Sequence, residues 1–319
     1  LTAARRTRAA ERRATATTCE VDVLITKQVM TPATGRHFKL FRNPFDGPVE
    51  RDEQLFMSDE LAFVRDVLWQ CATSASFMAL IGESGAGKTT LLHDLEDRLQ
   101  KDPRGVVLIK PSTLGMEESE RLGHQLKTHD LLHAIITTLN AGVTIPSGNQ
   151  ARTLLAMRLL AASTRAGYSH VLAVEEAHGM PEATLRHLKR LHEVREGRRG
   201  LLGIMLLGQP ELRRRLHDGL RSGVLREVAQ RCEVVDMPPL GKHLRAYLEC
   251  RAAACGRGLD TIAEPAAVEA IADKLTARVG QRAVPMSYPL AANNVITRAM
   301  NLAADVGAPV VTANVVKGI

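Results

Sequence analysis

Aromatic residues are scarce in this chain of 319 residues: they make up 3% of it, and all six Phe and the single Trp lie before residue 78. That scarcity argues against a platform of stacked rings for single-stranded nucleic acid. The five cysteines (Cys19, Cys71, Cys232, Cys250, Cys255) are an odd, scattered set without a C-x-x-C pair. A disulfide framework or zinc knuckle is disfavoured, and a reducing interior is the natural setting. No apolar run approaches the ~20 residues of a membrane-crossing helix; the longest, Phe77–Gly82 and Leu201–Gly208, are strand-sized. His192-Glu193 lacks the second His of H-E-x-x-H, and there is no G-x-S-x-G, N-K-x-D or L-S-G-G-Q. Zincin, serine hydrolase, GTPase and transporter ATPase chemistries therefore have no support. The chain starts at Leu1 without Met or an apolar leader, so a preceding piece is expected.

What is present is an ordinary globular balance, 45% hydrophobic and 24% charged, with too much Leu, Ile and Val for a disordered chain. The net charge is +7, of which residues 1–13 alone carry +4. Basicity over the whole chain thus says little about nucleic acid, and only local patches bear on it.

Residues 1–20 read as a basic tail or linker, and 21–57 as an irregular wrap whose Phe38, Leu40, Phe41 and Phe45 would pin it onto a core. The expected partner is a first helix over about Ser58–Ala72, where Leu61, Val64, Leu68 and Trp69 recur at helical spacing. Short apolar runs follow at 77–81, 106–110, 171–174, 201–207 and 232–237, alternating with helical text at 89–100, 117–140 and 150–166. This predicts a doubly wound parallel α/β sheet over residues 58–239. Beyond Pro238-Pro239 the strands stop, and helical text at 241–256, 264–278 and 289–306 predicts a small, all-helical C-terminal domain over 240–319.

Gly82-Glu83-Ser84-Gly85-Ala86-Gly87-Lys88-Thr89 matches G-x-x-x-x-G-K-[ST] between a predicted strand and a predicted helix, with Thr90 following. Glycines let the backbone wrap a phosphate, inward N–H groups bind it, and the helix N-terminus adds partial positive charge. Lys88 would bridge the β- and γ-phosphates of ATP, and the Thr89 hydroxyl would ligate Mg²⁺. The third strand ends in Glu175-Glu176-Ala177-His178. Adjacent carboxylates there suit a magnesium–nucleotide site, Glu175 taking the metal role and Glu176 that of the base. The plainer alternative is a pair of charges favoured at a helix start. His178 reads as a packing or hydrogen-bonding residue. Gln209, at the tip of the fourth strand beside the P-loop strand, would polarise the attacking water or sense the γ-phosphate, unless it is only a turn residue. Arg231, with Arg226 as second choice, would reach the γ-phosphate of a neighbouring subunit, or is a solvated surface Arg.

Taken in order, the P-loop, Glu175-Glu176-Ala177-His178, Gly208-Gln209-Pro210-Glu211-Leu212 and Gln230-Arg231-Cys232 resemble AAA+ ATPases. With Phe41-Arg42-Asn43-Pro44-Phe45 ahead of them, they look like the branch of ExeA-like proteins and transposition regulators (TniB, TnsC, MuB), nearest the ATPase B subunits of Mu-like transposable phages. The resemblance implies a helical filament, loaded with ATP and wrapped on double-stranded DNA in the cytoplasm of a bacterial host, that selects target DNA and recruits a transposase. It also implies a G-x-P-R sensor in the lid, where this chain has Ser287-Tyr288-Pro289-Leu290; Arg282 and Arg298 are the possible substitutes. DNA contact is expected after the second strand, at Lys110, Ser112, Thr113, Arg121 and Lys127. A second patch, Pro181–Arg215, carries a local +5 that a solvated face would equally explain. The alternatives are a secretion-associated ATPase and a nucleotide-gated scaffold with little hydrolysis.

Overall fold

The computed structural model describes residues 26–111, 126–223, 225–279 and 282–319. Ser112, Thr113 and Arg121 lie outside the described residues, as do the tail and the Arg282 side chain. In chain order the helices are α1 (Pro32–His37), α2 (Asp59–Ser74), α3 (Lys88–Lys101), α4 (Thr128–Leu139), α5 (Asn149–Arg165), α6 (Glu182–His192), α7 (Pro210–Ser222), α8 (Arg226–Ala229), α9 (Leu244–Ala253), α10 (Pro265–Lys274), α11 (Pro289–Asp305) and α12 (Ala313–Lys317). The strands are β1 (Phe77–Ile81), β2 (Val106–Ile109), β3 (Ser169–Val174), β4 (Arg195–Glu196), β5 (Arg199–Gly200), β6 (Gly203–Gly208), β7 (Glu233–Asp236), β8 (Thr276–Val279) and β9 (Arg282–Pro285). The chain divides into two units, one of Asp59–Glu83 with Lys88–Met237, the other of the chain up to Ser58 with Ser84–Gly87 and Pro238–Ile319.

The first unit is a five-stranded sheet in the order β2-β3-β6-β1-β7, every pairing in it parallel. Parallel strands need crossover connections, and the helices of those crossovers cover both faces. That is why β1 (FMALI) and β6 (GIMLLG) are apolar throughout and buried at every position. Leu131, Ile135, Leu185 and Leu188 from α4 and α6 join Leu172 and Leu206 in one core, all of them fully buried. Register sets the site. Ile81 lies opposite Gly208 and Val174 opposite Leu206, so β1, β3 and β6 end together and the loops after them leave from the same edge. Across α2 and α3, Arg65 donates twice to Asp94, at 2.6 Å each, a fork geometry that suits guanidinium to carboxylate.

The second unit centres on α11, whose Ala292, Val295, Ile296, Ala299 and Met300 are fully buried among residues of α9, α10 and α12. Two expectations are corrected here. Phe38, Leu40 and Phe45, expected on the first helix, sit in this core with Leu244, Tyr247 and Val295, while Phe41 is exposed. The Ala-rich lid helices leave volume between them that bulky side chains from elsewhere can fill. Polar contacts fix the same segment: Asn301 Oδ1 accepts from the Thr31 amide at 3.1 Å and the Thr34 hydroxyl at 2.8 Å. Arg251 donates to the carbonyls of Asp46 and Gly47 at 3.0 and 3.1 Å. Secondly, the helix expected over 264–278 stops at Lys274, and β8 and β9 pair antiparallel, Thr276 opposite Pro285 and Val279 opposite Arg282. The C-terminal region is helical with a hairpin inserted; β-branched Thr276 and Val279 favour the strand over another helical turn.

Candidate nucleotide site

β1 ends at Ile81 and α3 begins at Lys88, so the glycine-rich segment is the turn between a buried strand and a helix. Gly85 and Gly87 take φ of +71° and +96°, a left-handed conformation that costs a residue with a Cβ. Gly85 is also crowded: a Cβ there would fall 2.2 Å from the Leu290 Cβ, and the Leu290 amide donates to the Gly85 carbonyl at 3.2 Å. Leu290 thus meets the loop where the resemblance implied an Arg, and Arg298 lies two turns further along α11, half-buried. The Gly82 amide donates to the Gly208 carbonyl at 3.0 Å, tying the start of the loop to the end of β6. Ala86 is buried, Glu83 and Thr90 are half-buried, and Ser84 is exposed.

Lys88 folds back into this turn, donating to the Gly82 carbonyl at 2.7 Å and the Glu83 carbonyl at 2.9 Å. Burial holds its ammonium below the ordinary lysine value, while Glu176, Glu83 and Glu175 act in the opposite direction. The next residue, Thr89, donates its hydroxyl to Glu175 Oε2 at 2.7 Å, so the first turn of α3 and the tip of β3 meet. Glu176 follows with φ +49° and ψ +34°, a left-handed conformation in a non-glycine residue. Such strain persists only where the surroundings over-determine it, and it clusters at functional positions. Gln209 caps α7 and donates Nε2 to Glu176 Oε2 at 3.4 Å. The structure therefore brings Lys88, Thr89, Glu175, Glu176 and Gln209 to one edge of the sheet.

It does not bring Arg231 there. This residue precedes β7 and lines a cavity of about 550 Å³ with Ser76 and Phe77, where β1 begins. At about 3.3 Å per strand residue, the length of β1 separates it from the loop. Its guanidinium is ion-paired with Glu193, which also holds Lys189 at 2.9 Å. Of the DNA candidates, Lys110 pairs with Glu96 at 2.5 Å, and exposed Lys127 donates its amide to Asp130 at 2.9 Å. Three cations of the basic patch of 181–215 are paired with acids: Arg213 binds Asp236, Arg214 binds Glu211, and Lys189 binds Glu193 and Glu227. Arg186 and Arg190 stay exposed on α6.

Two contributors escaped the reading of the sequence. Arg215 donates to the carbonyls of His178 and Met180 at 2.5 and 2.6 Å, bracing the turn that carries Glu176. His178 Nδ1 lies 3.4 Å from Glu176 Oε2. Nothing in the sequence singled out Arg215 among the cations of α7, or separated His178 from an ordinary packing or hydrogen-bonding histidine.

The donor set fits magnesium nucleotide. Thr89 and Glu175 offer two hard oxygens already in contact, and Mg²⁺ characteristically takes one or two protein ligands, with the rest from phosphates and water. Among the described residues there is no group of three or more His, Cys, Asp or Glu that could hold a metal by itself.

Residues 71–216 match the family model described as AAA domain. General secretion pathway protein A of Aeromonas hydrophila is 30% identical over 155 residues, 49% of this chain and 25% of that protein, so the chain spans about a quarter of this relative's length. The ORC2 protein of Aeropyrum pernix (ADPNP–ADP complexes) superimposes with a TM-score of 0.51 at 19% identity, covering 87% of this chain and 70% of that one. Drosophila ORC bound to DNA gives a TM-score of 0.54 at 15% identity, covering 92% and 68%. The five parallel strands, the loop after β1 and these likenesses agree on the fold, that of the AAA+ P-loop ATPases, and residues 71–216 are similar to an AAA domain.

Proposed function

We propose that the chain is a magnesium-dependent ATPase whose nucleotide state governs its assembly on double-stranded DNA. The hydroxyl–carboxylate contact of Thr89 with Glu175, beside a lysine folded into a glycine turn, is the observation that carries this reading. Lys88 exchanges the Gly82 and Glu83 carbonyls for β- and γ-phosphate oxygens, and its partial burial strengthens the attraction. Thr89 and Glu175 hold Mg²⁺, which supplies neutralisation of phosphate charge. Glu176 orients the attacking water and takes its proton, and Gln209 senses the γ-phosphate. Arg231, remote from its own loop, serves the nucleotide of a neighbouring subunit, so hydrolysis is completed between copies.

Likeness to an ORC bound to DNA supports duplex as the partner, and the scarcity of aromatics supports phosphate contact over base stacking. The contact residues are Lys110, Ser112, Thr113, Arg121 and Lys127. In its finer form the proposal is a filament in the bacterial cytoplasm that selects target DNA and recruits a transposase. A second reading, an ATPase serving secretion, is favoured by the match to General secretion pathway protein A. Among the described residues no helix is long and apolar enough to cross a membrane. Electron microscopy with duplex DNA, with and without a non-hydrolysable ATP analogue, separates the two. Filaments only when both are present support the DNA reading, and none under any condition leaves the secretion reading in its place.

A further inference from the structure

Glu176 Oε2 stands between two nitrogen donors, Gln209 Nε2 and His178 Nδ1, each at 3.4 Å. The two are not equivalent. Gln209 belongs to the mouth of the site, whereas His178 Nδ1 is sealed from solvent and makes no hydrogen bond in the present arrangement. A buried donor without a partner is uncommon and asks for an explanation. The backbone around the imidazole is fixed: Arg215 grips the His178 and Met180 carbonyls at 2.5 and 2.6 Å. Gly208 lets β6 pass close beneath, since a Cβ there would reach the Leu212 side chain at 2.8 Å and the His178 amide at 3.4 Å. Glu176, by contrast, has a side chain 64% exposed on a left-handed turn. A loosely held carboxylate thus faces a rigidly held, unpartnered nitrogen.

We propose that His178 is a positioning residue for Glu176, a role that rests on reading Glu176 as the base. When the Gln209 amide turns to the γ-phosphate, Glu176 Oε2 closes the remaining gap onto His178 Nδ1–H, which leaves Oε1 for the attacking water. The water proton passes to Oε1 as its oxygen bonds to the γ-phosphorus. The bond from that phosphorus to the leaving ADP oxygen breaks, with its electron pair departing on ADP. His178 acts through its Nδ1–H as a donor and limits where the carboxylate can rest.

The test compares full-length His178→Leu, which keeps bulk but removes the donor, with His178→Asn, whose amide N–H can stand near the place of Nδ1. Expected for His178→Leu is a kcat lower by about 10- to 100-fold, the scale of a misplaced catalytic group, with KM and the affinity for a non-hydrolysable ATP analogue unchanged. His178→Asn should recover most of that loss. Wild-type kcat in His178→Leu overturns the proposal, as does an equal loss in both variants or a parallel loss of analogue binding. Glu176→Gln is run alongside: wild-type turnover there removes the base reading itself, whereas slow turnover there with an unaffected His178→Leu removes only the role of His178.

Discussion

At the scale of single residues, the site is a set of side chains held in unusual states by their surroundings. Lys88 is a buried cation leaning on two backbone carbonyls, a weak substitute for phosphate oxygen. Lys88→Ala should abolish ATP binding by calorimetry at saturating Mg²⁺; retained heat would place the nucleotide elsewhere. Glu176→Gln should still bind ATP but release phosphate more slowly by about 10²- to 10⁴-fold, the range for a general base, measured in single turnover. Away from the site, His170 is buried with Nδ1 on the Leu201 carbonyl at 3.1 Å and Nε2 on the Ser163 hydroxyl at 2.8 Å. Burial holds it below its usual 6.5, with Arg199 adding to the effect against the Leu201 carbonyl. The neutral ring is the folded form, so below that value the unfolded chain binds more protons and stability falls as pH falls. The contribution is complete above 6.5 and is lost on acidification. Denaturation between about pH 7.5 and about pH 5.5 should show this slope, and it should flatten in His170→Asn. His187 and His192 are shifted in the same direction by burial, so an unchanged slope in that variant would assign the effect to them. The types and spacing of Lys88, Thr89, Glu175 and Glu176 were legible as chemistry. The left-handed turn at Glu176, which sets the His178 imidazole against its carboxylate, was not, because residue type alone does not announce a positive φ in a non-glycine residue.

At the scale of elements, the phosphate loop is defined by what it cannot contain. Gly85 combines a positive φ with Leu290 pressed against the place of a Cβ. Gly85→Ala should cost about 1–2 kcal/mol in loop conformation, or roughly tenfold in nucleotide affinity, even before the crowding is added. Titration with an ATP analogue measures it, and wild-type affinity would mean that the loop relaxes freely. Sheet strands were readable since a strand buried on both faces must be a continuous apolar run, as β1 and β6 are. The lid was read less well. Ala- and Leu-rich text runs through Lys274 into Thr276–Val279, and local composition does not reveal that this stretch finds an antiparallel partner in Arg282–Pro285.

For the molecule as a whole, charge decides how DNA would be held. Lys189, Arg195, Arg213, Arg214 and Arg215 of the 181–215 patch are spent on Glu, Asp or backbone carbonyls, so the grip expected is diffuse phosphate contact by Lys110, Arg121 and Lys127 with little from that patch. Affinity for duplex should then fall steeply between about 50 and 200 mM salt and vary little with base sequence; a flat response in a fluorescence anisotropy titration would contradict phosphate contact. The amino-acid sequence by itself determined the strand–loop–helix around Lys88, the parallel sheet and the paired carboxylates. Each is written in a short window, as a run of apolar residues or a spacing of glycines. Only tertiary structure decided that Phe38 and Phe45 pack with lid helices two hundred residues away, and that Arg231 lies at the far end of β1. Packing partners are chosen by volume and buried surface in three dimensions, and no local window of text contains that information.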